Sequence, residues 1–374
     1  MENKIRSIFI IFLIVLQLLA FSCKVKKDDS QSTPVPLTEE QQQLVQELNQ
    51  LLIPLGASPL VLTDNELSVL DQLRDVKIIG LGEATHGTKE FFQMKHRVFQ
   101  YLVENCGHKV FGFEADFAES IYLNNYVTKG EGNLTELMRD RMHFWTWSTV
   151  EVRQLLEWMR EYNTGKAEED QIHYYGFDCQ YTTYQPDMLL EYLQRTLPAL
   201  WETASAVLEE VEALSSSDYK SMSEEAYNHH KTQLESLQDQ LISNKDSLVA
   251  NSSLEEYEIS KQLLNTVIQA IIVRYHAAKG ISTTDSRDRF MAENALWIAD
   301  FFGQDTKITL WAHNGHVARN SSYSGDRAMG YYLNEALGDL YRVVAFAFSQ
   351  GSFTAVGRDQ YGNPTGEMTH EITT

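Results

Sequence analysis

Short apolar runs alternate with longer segments of helical periodicity along most of the chain. The runs are four to seven residues long, and the segments between them repeat apolar residues every three or four positions. This alternation is typical of an α/β fold with a mostly parallel central sheet and flanking helices. We predict five strands, at Val76–Leu81, Lys109–Phe113, His173–Phe177, Ile308–Trp311 and Arg342–Phe348.

Polar or ionisable residues follow each predicted strand directly. In chain order they are Glu83 and His86, Glu114 and Asp116, Asp178, His313 and His316, and the turn Ser349-Gln350-Gly351. Ligands of open α/β sheets bind beyond the carboxyl ends of the strands. We therefore expect these groups to surround one crevice.

The region from about residue 200 to residue 280 has a different pattern. It has helical spacing, many Glu and Gln residues, and no glycine before Gly280. We interpret it as a helical insertion within one catalytic domain that spans 38–374. Trp145, Trp147 and Trp158, in the helix-rich segment 138–160, are most simply packing residues, and a ligand-lining role is the less favoured alternative.

Residues 1–22 have the layout of a secretory signal peptide. Lys4 and Arg6 precede a long apolar stretch, and the residues up to Cys23 resemble a bacterial lipobox. We therefore expect Cys23 to be acylated and residues 23–37 to form a polar tether. The protein would then be exported and lipid-anchored at the outer membrane or the periplasmic face. An uncleaved N-terminal anchor helix is the alternative.

Composition narrows the choice of partners. The 374 residues include 31 Lys and Arg against 52 Asp and Glu, a net charge of −21. Affinity for nucleic acid depends on clustered cations, so nucleic acid is not expected as a partner. Of the three cysteines, Cys106 and Cys179 remain for the folded body. Two buried free thiols are the simpler expectation, although the spacing leaves open whether they pair.

The loop Gly82-Glu83-Ala84-Thr85-His86-Gly87 concentrates chemistry between a strand and a helix that begins near Thr88. The two glycines allow tight turns and Thr88 can cap the helix, so the loop can hold Glu83 and His86 at a fixed point. Arg97 lies three helical turns after His86, and its spacing alone allows it to face the crevice or the solvent.

Six segments in this order resemble the erythromycin esterase family, whose members hydrolyse the macrolide lactone ring. They are GEATHG, KEFFQMKHR, FEAD, GFD, RDRFMAEN and WAHNGH. The resemblance covers most of residues 75–350 and is weakest over 200–275. It implies metal-independent hydrolysis in which His86 acts as general base on a water that Glu114 helps to hold, with His313 joining the site.

The resemblance also implies that Arg287 stabilises the oxyanion or orients its partners. Glu83, Arg97 and His316 match motif positions of less defined role. We assign Glu83 to the catalytic group, and Arg97, His316 and Asp178 to substrate binding. The lipoprotein leader is a departure, because the best-known resistance members are cytoplasmic, and it leaves the ester substrate open.

The residues themselves agree with water as the nucleophile. The chain has no Gly-x-Ser-x-Gly stretch, and neither Cys106 nor Cys179 has the flanking signature of a catalytic thiol. A neutral imidazole suits proton removal near neutral pH, and Arg287 offers a permanent positive charge. We expect no cofactor. A zinc site remains open, because Glu83, His86, Glu114, His313 and His316 are ligand types that zinc accepts.

The sequence therefore predicts a membrane-anchored hydrolase of carboxylic esters, with a macrolide lactone as the leading substrate and antibiotic resistance as the role. One alternative is an esterase of the same mechanism that acts on envelope or polysaccharide esters. The other is a non-catalytic lipoprotein that binds a metal or a haem-like ligand in the same crevice.

Overall fold

The structure is a computed structural model that describes residues 37–56, 58–320, 326–358 and 364–372. The predicted signal peptide, Cys23 and nearly all of the tether lie outside the described residues. Contacts divide the chain into a unit that ends at Leu55 and a unit that begins at Gly56. The first unit contains helix α1 (Glu39–Asn49). Thr38 and Gln41 form a capping box at its N-terminus, in which each side chain accepts from the other's backbone N–H.

A five-stranded parallel sheet forms the centre of the second unit, and it confirms the predicted α/β class. The strands are β1 (Ile78–Leu81), β2 (His108–Asp116), β3 (His173–Asp178), β4 (Lys307–Trp311) and β5 (Tyr341–Val344). Their spatial order is β3-β2-β4-β1-β5. Strand β2 extends to Asp116, so Glu114 lies within the strand and not after it.

Helices connect and cover the strands. Before β3 they are α2 (Asp64–Leu67), α3 (Lys89–Cys106), α4 (Phe117–Lys129), α5 (Leu134–Arg141) and α6 (Val150–Asn163). Between β3 and β4 they are α7 (Gln185–Thr196), α8 (Pro198–Glu212), α9 (Ser216–Ser221), α10 (Glu224–Ser243), α11 (Lys245–Ala250), α12 (Leu254–Ala278) and α13 (Thr284–Phe301). After β4 they are α14 (Asn314–Val317) and α15 (Met329–Leu337).

The sheet is buried on both faces, which explains why its strands are continuous apolar runs. On β4, Trp311 packs into the cluster that α3 and α6 cover. Ile308 and Leu310 point the other way, into a second cluster with Met291 and Ile298 of α13. Successive strand residues thus alternate between two cores.

Helices α7 to α12 share an apolar cluster separate from the two that cover the sheet. It includes Leu193, Leu208, Leu237 and Leu264, all fully or almost fully buried. The helices of this region begin at Gln185 and continue to Ala278.

A two-stranded antiparallel hairpin, β6 (Gly351–Arg358) and β7 (Pro364–Ile372), follows the parallel sheet. The predicted strand Arg342–Phe348 is wrong in its second half, because β5 ends at Val344. The hairpin was not predicted. Its β7 residues are exposed along almost the whole strand, so no buried face imposes an apolar alternation on the sequence.

Cys106 and Cys179 are both buried and free. Among the described helices, none is long and apolar enough to cross a membrane.

Candidate active site

The candidate residues meet at the carboxyl end of the parallel sheet. The strand ends carry Glu83 and His86 after β1, Glu114 on β2, Asp178 on β3 and His313 after β4, while α13 and α14 add Arg287 and His316. The chain crosses from β1 towards β3, returns with β4, and places β5 on the opposite side of β1. Such a change of direction opens a crevice at the carboxyl ends of neighbouring strands.

His86 is held through one ring nitrogen. Its Nδ1 donates to Glu83 Oε1 at 2.7 Å, and the second oxygen of Glu83 lies 2.9 Å from Lys95 Nζ. Glu83 and Lys95 are fully buried, whereas 36% of the His86 side chain is exposed. No described residue hydrogen-bonds His86 Nε2. With its proton on Nδ1, the neutral ring therefore offers an unshared electron pair at Nε2.

Gly82 and Gly87 of this loop leave room for Asn314 and Thr354, which lie too close for a side chain at either position. Neither adopts a positive φ, so the expected glycine-dependent turn is not the reason for them. A Cβ on Gly82 would lie 2.0 Å from Asn314 Oδ1, and one on Gly87 would lie 1.7 Å from the Thr354 carbonyl oxygen. The Thr354 N–H also donates to the Gly87 carbonyl at 3.0 Å. Strand β6 thus lies directly on the His86 loop.

Thr88 occupies the N-cap position of α3, as expected from the sequence. Its side chain makes no capping hydrogen bond. The hydroxyl instead lies 2.6 Å from the Thr85 hydroxyl, which ties the middle of the loop to the start of α3.

Glu114 joins the two halves of the site. Its Oε1 accepts from Arg287 Nη2 at 3.2 Å and lies 3.3 Å from His316 Nε2. Its Oε2 accepts from the backbone N–H of His313 at 2.8 Å. The Glu114 carbonyl accepts from Trp147 Nε1 at 3.0 Å. The side chain is thus held by Arg287, His316 and a backbone donor.

Asp178 binds Arg287 with both carboxylate oxygens, at 3.0 Å to Nε and 2.6 Å to Nη2. The Cys179 N–H and the Gln180 amide also donate to this carboxylate. The bidentate pair fixes the plane of the guanidinium, so Asp178 sets the orientation of Arg287.

His316 repeats the carboxylate-histidine pairing of the His86 loop. Its Nδ1 donates to Asp288 Oδ1 at 2.7 Å, and Asp288 also accepts from the Met329 N–H at 2.8 Å. Its Nε2 lies 3.3 Å from Glu114 Oε1 and 3.3 Å from Arg287 Nη1. Asp288 thereby directs Nε2 towards the centre of the site.

The hydrogen bonds of His313 assign its tautomer. Nδ1 accepts from the Gly315 N–H at 3.1 Å, so Nε2 carries the proton and donates to the Ala84 carbonyl at 3.2 Å. The ring centroids of His313 and His86 are 5.5 Å apart. His313 therefore braces the His86 loop from the β4 side.

Burial and neighbouring charges shift the pKa values of Glu114 and Lys95. Burial raises the pKa of Glu114, but His316, His86 and Arg287 outweigh it and lower that pKa to about 2. Burial lowers the pKa of Lys95 to about 8, against the attraction of Glu83. Glu114 is therefore a stable carboxylate near neutral pH, and it is a weak base.

The three histidines differ in pKa. Burial opposes the charge of His86, but its hydrogen bond to Glu83 and the Glu114 charge hold its pKa above the ordinary value. Burial likewise opposes the charge of His316, and Glu114 and Asp288 raise its pKa. Burial and the neighbouring His86 lower the pKa of His313. His313 is thus the most readily neutral of the three.

Arg97 is not part of this group, and its assignment to substrate binding is corrected. It is buried on α3, where Nε donates to the Leu62 carbonyl at 2.8 Å and Nη2 donates to Asp64 at 2.5 Å. Both partners belong to the segment before β1. Asp64 already neutralises the guanidinium, so the role of Arg97 is to attach the segment before β1 to α3.

Sequence reasoning missed the roles of Lys95 and Asp288, and it gave Trp147 a ligand-lining role only as the less favoured alternative. Lys95 lies between Phe91 and Phe99 on the apolar face of α3, and a lysine inside an apolar stripe is a detectable signal of a buried charge. Asp288 follows Arg287 directly, but its partners come from other elements. Trp147 is buried with its ring centroid 5.1 Å from that of His86, so it packs and also touches the site.

A zinc site was left open for Glu83, His86, Glu114, His313 and His316. Among the described residues, no three His, Cys, Asp or Glu side chains are grouped so as to hold a metal ion. The carboxylates of this set face lysine, arginine and imidazole partners instead.

Known proteins resemble the chain over most of its length. The erythromycin esterase family model matches residues 103–371. An erythromycin esterase type II of Escherichia coli is 28% identical over 305 residues, which cover 75% of this chain and 71% of that protein. The putative hydrolase YbfO of Bacillus subtilis strain 168 is 25% identical over 313 residues, 75% of this chain and 67% of that protein.

Three solved structures share the fold. A succinoglycan biosynthesis protein has a TM-score of 0.76 at 23% identity, over 90% of this chain and 82% of its own. A Bacillus cereus protein has a TM-score of 0.75 at 23% identity, over 89% and 80%. A mutant of the erythromycin esterase EreC in its open conformation has a TM-score of 0.64 at 20% identity, over 84% and 80%. Since the family model covers more than half of the chain, the chain belongs to the erythromycin esterase family and is a hydrolase of that type.

Proposed function

We propose that this hydrolase cleaves a carboxylic ester, with a macrolide lactone as its substrate, by means of a water molecule that His86 activates. The observation that carries the proposal is that Nδ1 of His86 is bound to the buried Glu83 while no residue in the described part of the chain hydrogen-bonds its Nε2. A neutral imidazole in this tautomer accepts a proton from water as the oxygen attacks.

The reaction proceeds in two steps. The water oxygen bonds to the ester carbonyl carbon while its proton passes to His86 Nε2, and the carbonyl oxygen becomes an oxyanion. The bond from carbon to the alkoxy oxygen then breaks, and the departing oxygen takes the proton back from His86. The products are a carboxylic acid and an alcohol, which in a lactone remain on one opened chain.

Arg287 and His316 are the groups that can receive the oxyanion. Their side chains remain 16% and 20% exposed, whereas Asp178 and Asp288 behind them are almost fully buried. A fixed cation aimed at developing negative charge lowers the barrier of acyl transfer. Glu114 would hold Arg287, His316 and the His313 backbone around the water.

Thiol nucleophiles are a poor alternative to water. Burial raises the pKa of Cys179 well above its usual value, and burial also raises the pKa of Cys106. A thiol with a raised pKa contains little of the thiolate that reacts with carbonyl carbon.

The decisive experiment incubates erythromycin with the purified protein and follows the mass of the product. We expect a gain of one water by wild type, loss of that activity in His86→Ala, and an unchanged circular dichroism spectrum. The control is His229→Ala, an exposed histidine on α10. Undiminished turnover by His86→Ala would contradict the assignment of His86 as the general base.

Exhaustive chelation followed by elemental analysis decides metal dependence, because a water-activating zinc would be lost together with activity.

The location of the enzyme is a separate proposal, supported by the lipobox-like residues before Cys23. The acylated Cys23 would anchor the enzyme to the cell envelope. Cells fed labelled palmitate should incorporate it into wild type and not into Cys23→Ala. Incorporation that is equal in both forms would refute acylation at this position.

A further inference from the structure

Three side-chain amides are buried together between α12 and α13. Gln262 and Gln269 lie two turns apart on α12, Asn294 lies on α13, and each is at most 3% exposed. We refer to these three residues as the amide cluster. The neighbours of Asn294 on α13 are apolar, since Met291 and Ile298 are fully buried in the core beneath the helix. A polar side chain at such a position must find its hydrogen bonds within the protein.

Asn294 uses the whole hydrogen-bonding capacity of its amide. Its Nδ2 donates to the Phe177 carbonyl at 3.0 Å and to Gln269 Oε1 at 2.8 Å. Its Oδ1 accepts from Gln262 Nε2 at 2.8 Å and from Gln269 Nε2 at 3.1 Å. Both N–H groups and both lone pairs are therefore engaged. The cluster thus fixes α13 against α12 and against β3 at the same time.

Helix α13 and strand β3 also carry the ion pair that orients Arg287. On β3, Phe177 directly precedes Asp178. On α13, Asn294 follows Arg287 by seven residues, and residues with this spacing lie on one face of a helix, two turns apart. The bond from Asn294 to Phe177 and the pair of Arg287 with Asp178 therefore attach the helix to the strand at two points. Two attachments on one face fix both the position of α13 along β3 and its rotation.

Stability alone does not require an amide cluster at this place. Replacing buried hydrogen-bonded partners by apolar groups of the same shape can be nearly neutral, whereas a fully satisfied polar network specifies one arrangement of its elements. The other contacts of α13 with the sheet are with apolar side chains, and the hydrophobic effect has no preferred direction. The amides therefore supply the directional part of this contact.

We propose that Asn294 is a positioning residue for Arg287, an inference that rests on the proposed function. Asn294 sets the placement of α13, and this placement aims the guanidinium at the oxyanion. Through Gln262 and Gln269, helix α12 supports the same placement, so the helical region contributes to catalysis without contacting the substrate.

The test measures erythromycin hydrolysis by the full-length protein and its Asn294→Thr variant. Threonine has nearly the same volume as asparagine and lacks the amide that donates to Phe177. Arg287 acts on charge that develops in the transition state, so kcat should fall about tenfold while KM stays within about twofold of wild type. Where Asn294→Thr does not fold, Asn294→Ser takes its place, because the smaller side chain leaves room for a water molecule among the amides.

Asn163 supplies a matched control at the opposite end of the same strand. It is 1% exposed, its Nδ2 donates to the carbonyls of Val127 and Ile172, and its Oδ1 accepts from the Ile172 N–H. Ile172 directly precedes β3, so this amide attaches the end of the strand that lies away from the site. Asn163→Thr should destabilise the protein towards urea but keep kcat within about twofold of wild type. An equal fall of kcat in both variants, an unchanged kcat in Asn294→Thr, or a change confined to KM would overturn the positioning role.

A second measurement does not depend on the reaction. In protein that contains isotopically labelled arginine, the NMR signal of the Arg287 Nε–H is assigned by its absence in Arg287→Lys. Hydrogen exchange at this group reports how firmly Asp178 holds it, and Asn294→Thr should speed that exchange about tenfold, whereas Asn163→Thr should not. If wild type hydrolyses no ester, the proposed reaction fails, and this exchange alone decides the placement of Arg287. Equal exchange in wild type and Asn294→Thr would overturn the inference.

Discussion

Lysine, arginine and histidine each partner a different carboxylate in this site. Lys95 neutralises Glu83, Arg287 bridges Glu114 and Asp178, and His316 faces Asp288. A buried carboxylate without such a partner loses much of the free energy of its hydration. Glu83, which orients His86, therefore depends on Lys95, a fully buried residue outside the group proposed to receive the oxyanion.

Lys95→Met should destabilise the protein strongly. The substitution keeps the volume of the side chain but leaves the fully buried Glu83 without its cation. Breaking one side of a buried ion pair costs about 3–5 kcal/mol. Urea unfolding should show a loss of this size, whereas Lys89→Met, at an exposed position of the same helix, should remain within about 0.5 kcal/mol of wild type. Equal losses in the two variants would contradict the pairing.

The acid limb of the pH-rate profile should report His86. Because the base must be neutral, kcat/KM falls as the pH drops through the pKa of His86, which lies above the ordinary 6.5. Glu83 raises that pKa, so Glu83→Gln should move the limb to lower pH and lower the plateau. Glu104→Gln, at an exposed position of α3, is the control. A limb that stays in place in Glu83→Gln would exclude His86 as the titrating base.

At the residue level, the sequence predicts partners only where they are neighbours along the chain. Glu83 and His86 are three residues apart, so their pairing is visible in the motif. Lys95 and Arg97 lie in one motif segment, but their carboxylate partners come from different segments, Glu83 for one and Asp64 for the other. Their roles therefore required the tertiary structure.

At the level of elements, burial decided what could be predicted. The strands of the parallel sheet are buried on both faces, so the run that contains Ile308 and Leu310 stands out as apolar. The exposed strand β7 contains Thr365, Glu367, Thr369 and Glu371, and its polar pattern has no core to match. The same argument explains why the end of β5 was placed too late, since Phe346 and Phe348 pack against Phe91 from outside the strand.

Gly87→Ala should separate the hairpin from the His86 loop. The added methyl group would overlap the Thr354 carbonyl oxygen at 1.7 Å, so the Thr354 N–H bond to the Gly87 carbonyl must break. We expect faster hydrogen exchange at the Thr354 amide, a loss of about 1–3 kcal/mol and lower ester turnover. In Gly56→Ala the nearest atom would be 3.3 Å away, and exchange at Thr354 should not change. Unaltered exchange in Gly87→Ala would refute the contact.

Across the whole molecule, acidic residues outnumber basic ones, and some of the acidic side chains are buried in the core. The net charge is −21, yet Asp116 and Asp178 are buried at the ends of β2 and β3, and Glu119 is buried in the first turn of α4. Asp178 has an arginine partner, whereas the partners of Asp116 and Glu119 within the described ranges are backbone N–H groups and the Gln185 amide. Folding therefore favours protonation of Asp116 and Glu119.

Glu119 should make the fold less stable as the pH rises towards neutrality. Burial raises its pKa from 4.5 to about 7, so between these values the folded state binds a proton that the unfolded state has released. By linkage the free energy of unfolding decreases across this interval, by about 3 kcal/mol from this group. Urea unfolding at pH 5 and pH 8 should therefore show a smaller decrease for Glu119→Gln than for wild type. For Glu136→Gln, at an exposed position of α5, the free energy of unfolding should decrease by as much as in wild type. An equal decrease in Glu119→Gln and wild type would show that Glu119 is already ionised in the folded protein at pH 5.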